Sequence, residues 1–247
     1  MNKKGRIVII FIIITIIVIA LSYFINSNTV YFGSNTRALV VGKKIIKRYS
    51  NKNILLKKVN YYKDGKVFSG YLKSNKDDAG YDYYLVSKYN KKRNVDDILA
   101  AGSMIKINVI SSDNIETFIS EASLNQINQL LEINITTGDI VDYKKYTYDI
   151  DNDSSSEDVV FINYFIENVR TTKIFVIDDE DLQEIKEFEY DFADPANSSN
   201  EVYYLSNVVD INKDGIYEIV VARIDGDSQP TFYDIYQYSN GTIKEIK

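Results

Sequence analysis

A repeated acidic loop that leads into an apolar strand constrains the fold of this chain most. In the clearer copy, acidic and amide residues alternate from residue 210, and a glycine, a glutamate and the apolar run 219–222 follow. A second copy starts 61 residues earlier (149 against 210). The repeat predicts two similar units of β structure. The matching candidate ligands are Asp149, Asp151, Asp153 and Glu157 in the upstream copy, and Asp210, Asn212, Asp214 and Glu218 in the downstream copy.

The spacing of these residues predicts a calcium site. Alternation places three side-chain oxygens inside a tight loop, Gly215 permits the sharp turn, and Glu218 closes the ligand shell. Calcium prefers about six to eight oxygen ligands. The loop is not an EF-hand, because its twelfth position is Val221 and a strand-like run replaces the exiting helix. An alternative stays open, in which the acidic residues cap their own backbone without an ion.

The pattern D-x-[DN]-x-D-G-x-x-[DE] before an apolar strand resembles the calcium loop of FG-GAP or VCBS repeats in integrin-like β-propellers. The resemblance covers residues 149–247, and it implies calcium ligation by the eight candidate residues. The upstream copy departs from the pattern, with Ser154 in place of the glycine and Asp158 in place of an apolar residue. Two repeats cannot close a propeller of about four to eight blades, so the resemblance implies an incomplete propeller.

The chain contains no histidine and no cysteine, which excludes several classes of site. Disulfides, thiolate nucleophiles, thiolate zinc sites and imidazole catalysis are all impossible. Any bound metal must therefore be held by oxygen, which favours Ca²⁺, with magnesium or manganese behind. We predict no catalytic residues and no organic cofactor.

Charge divides the chain into two halves. Residues 26–111 carry a net charge of +11, and residues 112–247 carry −20. One interpretation of this asymmetry is that both halves are ordinary solvated surfaces. The other is that the basic half faces an anionic membrane or envelope polymer, while the acidic half attracts cations. Nucleic-acid binding is not expected of an acidic, exported chain, and the sequence does not indicate an oligomeric state.

An apolar run occupies residues 7–25 and follows Lys3, Lys4 and Arg6. Its length predicts a transmembrane signal anchor, and the positive-inside rule predicts a single-pass cell-membrane protein with an extracytoplasmic C-terminal domain. The alternative is secretion after cleavage near Ser22. We therefore divide the chain into a cytoplasmic tail (1–5), an anchor (6–25), a basic membrane-proximal α+β region (26–143) and an acidic β-repeat region (144–247).

Periodicity predicts an α+β fold with an N-terminal transmembrane helix, a small mixed α/β segment, and a mainly antiparallel β C-terminal part with two propeller-blade-like repeats. Helices are expected from Ser34 or Asn35 to residue 49, over 94–101, and over 113–131 with a second start at Ser123. Strands are expected at residues 54–62, 66–72, 81–88, 104–110, 139–148, 159–165, 173–177, 185–190, 201–209, 217–223 and 231–238, with a final hairpin turn at Asn240 and Gly241.

The function predicted from these features is a membrane-anchored, extracellular, calcium-binding and non-enzymatic module of a bacterial cell envelope, which binds an envelope polymer or protein. One alternative is an envelope hydrolase of the glycosidase type, because paired Asp and Glu residues catalyse glycoside hydrolysis without histidine. The other is an ectodomain that works with a transmembrane signalling protein.

Overall fold

A computed structural model describes residues 3–32, 36–49, 57–63, 66–77, 80–86, 92–94, 99–102, 105–179, 181–193, 201–225 and 231–247. Within these ranges there are two α-helices, one 3₁₀ turn (Ser112–Asn114) and eighteen strands. The helices are α1 (Lys3–Ser27) and α2 (Glu121–Leu131). The strands are β1 (Thr29–Phe32), β2 (Thr36–Val41), β3 (Lys44–Tyr49), β4 (Lys57–Lys63), β5 (Lys66–Asp77), β6 (Gly80–Val86), β7 (Lys92–Asn94), β8 (Leu99–Gly102), β9 (Asn108–Val109), β10 (Ile115–Glu116), β11 (Ile140–Tyr148), β12 (Glu157–Ile166), β13 (Val169–Asp178), β14 (Asp181–Asp191), β15 (Glu201–Asp210), β16 (Glu218–Asp225), β17 (Thr231–Ser239) and β18 (Thr242–Glu245).

The strands form three sheets, and every pairing between described residues is antiparallel. The eight-stranded sheet has the order β3-β2-β1-β8-β4-β5-β6-β7. The middle sheet has the order β18-β17-β16-β15-β9, and the outer sheet has the order β10-β11-β12-β13-β14.

The middle sheet lies between the other two and is buried on both faces. Val221 of β16 faces a core shared with the outer sheet, which includes Phe161 of β12. The next residue back, Val220, faces a core shared with the eight-stranded sheet, which includes Phe32 of β1. This alternation follows from the opposite directions of successive side chains in a strand. Helix α2 covers the far face of the outer sheet through Leu124 and Ile127.

The 61-residue repeat extends beyond the loops to whole four-stranded units. Strands β11, β12 and β14 begin at residues 140, 157 and 181, and β15, β16 and β18 begin 61 residues later at 201, 218 and 242. The third strands, β13 and β17, begin at residues 169 and 231. The outer and middle sheets are therefore two copies of one antiparallel unit that stack face to face.

The predicted fold class needs correction. The described residues are mostly antiparallel sheet with two α-helices, and they form neither the expected mixed α/β segment nor a closed propeller. The helix expected up to residue 49 is the hairpin β2–β3, and its expected caps Ser34 and Asn35 lie outside the described ranges. The helix expected over 94–101 is not found at its two described ends, because residue 94 ends β7 and β8 begins at Leu99. Residues 95–98 lie outside the described ranges.

The membrane predictions also need correction. No helix in the described part of the chain is long and apolar enough to cross a membrane. On this finding the predicted transmembrane signal anchor, the membrane as a partner, and the single-pass location with an extracytoplasmic domain are wrong.

The predicted strands from residue 139 onward are confirmed as β11 to β17, and the Asn240-Gly241 turn leads into β18 as expected. The hairpin β4–β5 and the strand β6 are also confirmed. The strand expected over 104–110 is reduced to β9, and the expected helical stretch 113–131 contains a 3₁₀ turn, the short β10 and then α2. The cap of α2 is Ser120, whose side chain accepts a hydrogen bond from the Ser123 amide, rather than Ser123 itself.

Candidate functional site

Two acidic loops occupy the same place in the two repeated units. The upstream loop (residues 149–157) connects β11 to β12, and the downstream loop (residues 210–218) connects β15 to β16. Their closing glutamates, Glu157 and Glu218, are the first residues of β12 and β16. The strand ladders therefore fix both ends of each loop.

The first aspartate of each loop folds the backbone around its own carboxylate. Asp149 accepts hydrogen bonds from the Asp153 amide at 3.1 Å and from the Ser154 amide at 3.1 Å. Asp210 accepts from the Asp214 amide at 3.2 Å and from the Gly215 amide at 3.2 Å. The same offset of four and five residues in both loops shows that they share one conformation.

Backbone angles confirm this equivalence. Asn152 and Ser154 have φ of 64° and 80°, and their counterparts Lys213 and Gly215 have φ of 59° and 92°. These values lie in the left-handed region, where glycine is favoured and a side chain is strained. The upstream loop thus adopts the backbone of the downstream loop although Ser154 replaces the glycine.

The closing glutamates point back into their loops. Glu157 Oε2 accepts from the Ile150 amide at 2.8 Å, and Glu218 Oε2 accepts from the Ile211 amide at 2.8 Å. Both side chains are almost completely enclosed, with exposed fractions of 1% and 0%. Each glutamate, the last residue of its loop, is therefore hydrogen-bonded to the backbone at the start of the same loop.

Burial leaves these two glutamates with raised pKa values. Desolvation raises the pKa of Glu157 to about 7, the Ile150 amide opposes this, and the charges of Asp151, Asp153 and Asp178 raise it further. Desolvation likewise raises the pKa of Glu218 to about 8, with Asp214 and Asp210 adding to the effect. In both loops other carboxylates lie near a buried glutamate, and a bound cation would reduce the repulsion between these negative charges.

The upstream loop brings three carboxylates together. One oxygen from each of Asp149, Asp151 and Asp153 lies within 4.8 Å of the others, and this is the one such acidic group found among the described residues. Oxygens at about 2.3 to 2.6 Å from a calcium ion lie no more than roughly 5 Å apart, so the group has the right size. Glu157 lies outside this trio.

The downstream loop does not gather its predicted ligands in the same way. Asn212 turns its amide nitrogen to Asp214 Oδ2 at 3.0 Å and to the Lys43 carbonyl at 2.8 Å. Its Oδ1 accepts from the Asp214 amide at 3.1 Å. The hydrogen bonds of Asp210, Asn212, Asp214 and Glu218 are thus largely satisfied within the protein.

The third residue of each loop reaches a hairpin turn of the neighbouring sheet. Asp151 Oδ2 accepts from the Asn240 amide at 3.2 Å, in the turn between β17 and β18. Asn212 donates to Lys43 in the turn between β2 and β3. The outer sheet is thereby joined to the middle sheet, and the middle sheet to the eight-stranded sheet. Asp151 Oδ1, in contrast, is buried without a hydrogen-bond partner.

Stacking also brings in residues that the sequence analysis missed. The Tyr238 hydroxyl donates to Asp178 Oδ2 at 2.6 Å. Burial, this hydrogen bond and the charges of Asp178, Asp151 and Glu157 raise the Tyr238 pKa. Face-to-face stacking of the two units, rather than a spacing in the sequence, places Asp178 beside Tyr238.

The two loops touch each other. The Tyr217 amide donates to the Ile150 carbonyl at 2.7 Å, and the Tyr148 and Tyr217 rings lie 4.9 Å apart. Burial, a hydrogen bond with Tyr148, and the charges of Asp210 and Asp149 raise the Tyr217 pKa. Comparison of the chain with models of protein families, with curated proteins and with solved structures found no match.

Proposed function

We propose that this protein is a non-enzymatic β-sheet module that binds calcium through its acidic loops and uses the ion to fasten neighbouring sheets together. The main observation behind this proposal is that Asp151 contacts the middle sheet and also belongs to the acidic group of the outer sheet. One of its oxygens accepts from the Asn240 turn of the middle sheet, while the residue also belongs to the three-carboxylate group of the outer sheet. An ion in that group would therefore fix a contact between sheets.

The donor set suits a hard cation. Seven of the eight predicted ligands are carboxylates, and the eighth, Asn212, has an amide oxygen that faces an ion only after the side chain turns. Asp151 Oδ1 is a buried oxygen that accepts no hydrogen bond, while Oδ2 of the same carboxylate accepts from the Asn240 amide. A bound calcium ion would neutralise this group, with Asp149, Asp151 and Asp153 as its first ligands.

The resemblance to FG-GAP or VCBS loops supports the same ligand class. In that resemblance Asp149, Asp151, Asp153 and Glu157 hold one ion, and Asp210, Asn212, Asp214 and Glu218 hold another. The closer grouping of the upstream carboxylates favours the upstream loop as the stronger site. The downstream loop needs the Asn212 amide to turn before its oxygen faces an ion.

The hydrolase alternative receives no such support. A glycosidase needs a protonated carboxyl group and a second carboxylate that both reach a substrate. Glu157 and Glu218 have the raised pKa values of such acids, but each is enclosed and hydrogen-bonded to a backbone amide of its own loop. Their arrangement suits a closing ligand better than a catalytic acid.

Calorimetric titration of the protein with calcium tests the proposal, alongside thermal unfolding. We expect heat of binding and a higher melting temperature at millimolar calcium, since an ion at 100 times its dissociation constant stabilises by about 2.7 kcal/mol. Asp151→Asn and Asp153→Asn should weaken both effects, whereas Asp113→Asn, an exposed position outside the loops, should not. Absence of heat and of any melting shift in the unsubstituted protein would overturn the calcium proposal.

A further inference from the structure

A half-buried arginine of the outer sheet has no carboxylate partner in the described part of the chain. Arg170 of β13 donates from Nε to Asn163 Oδ1 of β12 at 3.0 Å, and no described carboxylate lies within ion-pair distance of its guanidinium group. Residues 112–247 carry a net charge of −20, so potential partners are abundant in this half of the chain. An arginine that stays without one here is available to an anion from outside the protein.

Aromatic side chains surround Arg170 at this end of the sheet. In the strand ladder Arg170 lies between Phe165 of β12 and Tyr190 of β14. Phe192 follows β14 directly and packs against both rings, with centroid distances of 5.7 Å to Phe165 and 4.8 Å to Tyr190. The exposed fraction of Phe192 is 55%. The three rings therefore present apolar surface beside the guanidinium group where a ligand can reach it.

A buried hydroxyl group lies on the same face as Arg170. Thr172 follows two residues later in β13, pairs with Asn163 in the ladder and is 2% exposed. Alternate residues of a strand share a face, so Arg170 and Thr172 point the same way. The Thr172 Oγ1 is buried and forms no hydrogen bond, which destabilises the protein in this state. An acceptor brought by a ligand would satisfy this donor.

We propose that this end of the outer sheet binds a small organic carboxylate with an apolar or aromatic body. The fork of the Arg170 guanidinium group binds the carboxylate, and the Thr172 hydroxyl donates to one of its oxygens once the Arg170 side chain has moved away from Asn163. The aromatic rings contact the apolar body of the ligand. Phe165 follows Glu157 by eight residues on β12 (165 against 157). At about 3.3 Å per residue the site lies roughly 26 Å from the acidic loop, and it does not depend on calcium.

Titration of the calcium-free protein with three small probes, followed by nuclear magnetic resonance, tests the site. Benzoate has both the ring and the charge, benzamide has the ring without the charge, and acetate has the charge without the ring. We expect benzoate to shift the Arg170 Nε–H and Tyr190 ring signals, and benzamide and acetate to bind at least tenfold more weakly. Equal affinity for the three probes, or no shift at Arg170, would overturn the proposal.

Substitution of Arg170 tests the charge directly. Arg170→Met should reduce benzoate affinity by about tenfold, and Arg170→Lys should recover only part of the loss, because an ammonium group lacks the two parallel donors of the guanidinium group. Lys106→Met removes an equal charge from an exposed position outside the outer sheet and should leave the affinity unchanged. Equal losses in Arg170→Met and Lys106→Met would mean that net charge alone attracts the probe, which contradicts a built site.

Thr172→Val separates ligand binding from structure because its two effects have opposite signs. Loss of a buried hydroxyl that has no partner should raise the melting temperature of the free protein by about 2 °C. The same substitution should reduce benzoate affinity by about fivefold, since the ligand loses a donor. Thr171→Val, at a buried neighbour on the opposite face of β13, is the matched control and should leave the affinity unchanged. Unchanged benzoate affinity in Thr172→Val overturns the proposed site.

Discussion

At the scale of single residues, Ser154 carries a conformational cost that its counterpart Gly215 avoids. Its φ of 80° lies in the left-handed region, which costs a residue with a side chain about 1 kcal/mol. We therefore expect Ser154→Gly to raise the free energy of unfolding by about 1 kcal/mol, measured by urea unfolding in calcium-free buffer. Ser156→Gly, two residues further along the same loop, should stabilise nothing. Equal effects of the two substitutions would contradict this account.

Glu218 should make the calcium-free protein more stable at pH 5 than at pH 8. Its pKa is raised by burial from 4.5 to about 8 in the folded state, so the folded protein holds a proton that the unfolded chain has lost. This stability is complete below pH 4.5 and disappears as pH rises towards 8, at roughly 1 kcal/mol per pH unit. Urea unfolding across this range measures the slope.

The variant Glu218→Gln isolates this effect. Its amide oxygen still accepts from the Ile211 amide, but the side chain no longer ionises. The dependence on pH should flatten, and the variant should be the more stable protein at pH 8 without calcium. Parallel pH profiles for the variant and the unsubstituted protein would show that the charge of Glu218 does not limit stability.

The gathering of acidic side chains in the upstream loop could be predicted from the sequence, because it depends on spacing within one loop, whereas metal ligation stays a prediction. The alternation of Asp149, Asp151 and Asp153 survives in the structure as the three-carboxylate group. The contacts of Asn240 with Asp151 and of Asp178 with Tyr238 could not be found in this way. Face-to-face stacking of the sheets creates them between residues that are 89 and 60 positions apart in the chain. Spacing along the chain does not determine such contacts.

At the scale of elements, Lys145 ties α2 to the outer sheet. Its Nζ lies 3.1 Å from Glu116 of β10, 3.5 Å from Asp158 of β12 and 3.2 Å from Ser123 of α2. Lys145→Met should cost about 1 kcal/mol at pH 7, because two half-buried carboxylates lose their cation. Lys244→Met, at an exposed position of β18, is the matched control.

Acid should remove part of this difference. Burial alone would raise the Glu116 pKa, but hydrogen bonds from Lys145 and Ser120 and the Lys145 charge together hold it below 4.5. Its contribution is therefore present above pH 4.5 and is lost as pH falls through the lower folded-state value. The cost of Lys145→Met, measured by urea unfolding, should shrink between pH 7 and pH 3. A constant cost would indicate that packing, rather than charge, explains the effect.

Strands were easier to predict than helices for a physical reason. Strands β12 and β16 are continuous apolar runs because both of their faces are buried, whereas β11 shows a partial alternation, and both patterns are visible locally. Ala38 and Val41 also fit helical spacing, but Gly42 turns the chain with φ of 61° and forms the β2–β3 hairpin instead. In Leu99–Gly102 the position between β1 and β4 overrides the helical preference of alanine.

At the scale of the whole molecule, the middle sheet joins the other two sheets because it contributes side chains to both cores. Val220 and Val221 are adjacent, equally buried at 0% exposure, and face opposite cores. Truncation of either valine to alanine removes similar apolar volume and should cost about 2 kcal/mol. The two substitutions therefore compare the interface between the middle and outer sheets with that between the middle and eight-stranded sheets, for the same side chain at the same burial.

If the three sheets fold as one unit, Val220→Ala and Val221→Ala should shift one shared unfolding transition by similar amounts. Intrinsic fluorescence of the tyrosines and far-ultraviolet circular dichroism should then follow coincident curves in urea for both variants. If the eight-stranded sheet instead opens separately, Val220→Ala should split the transition and Val221→Ala should not. Addition of calcium distinguishes the loops from the cores, because an ion that fastens sheets through Asp151 should move the single transition of both variants upward by the same amount.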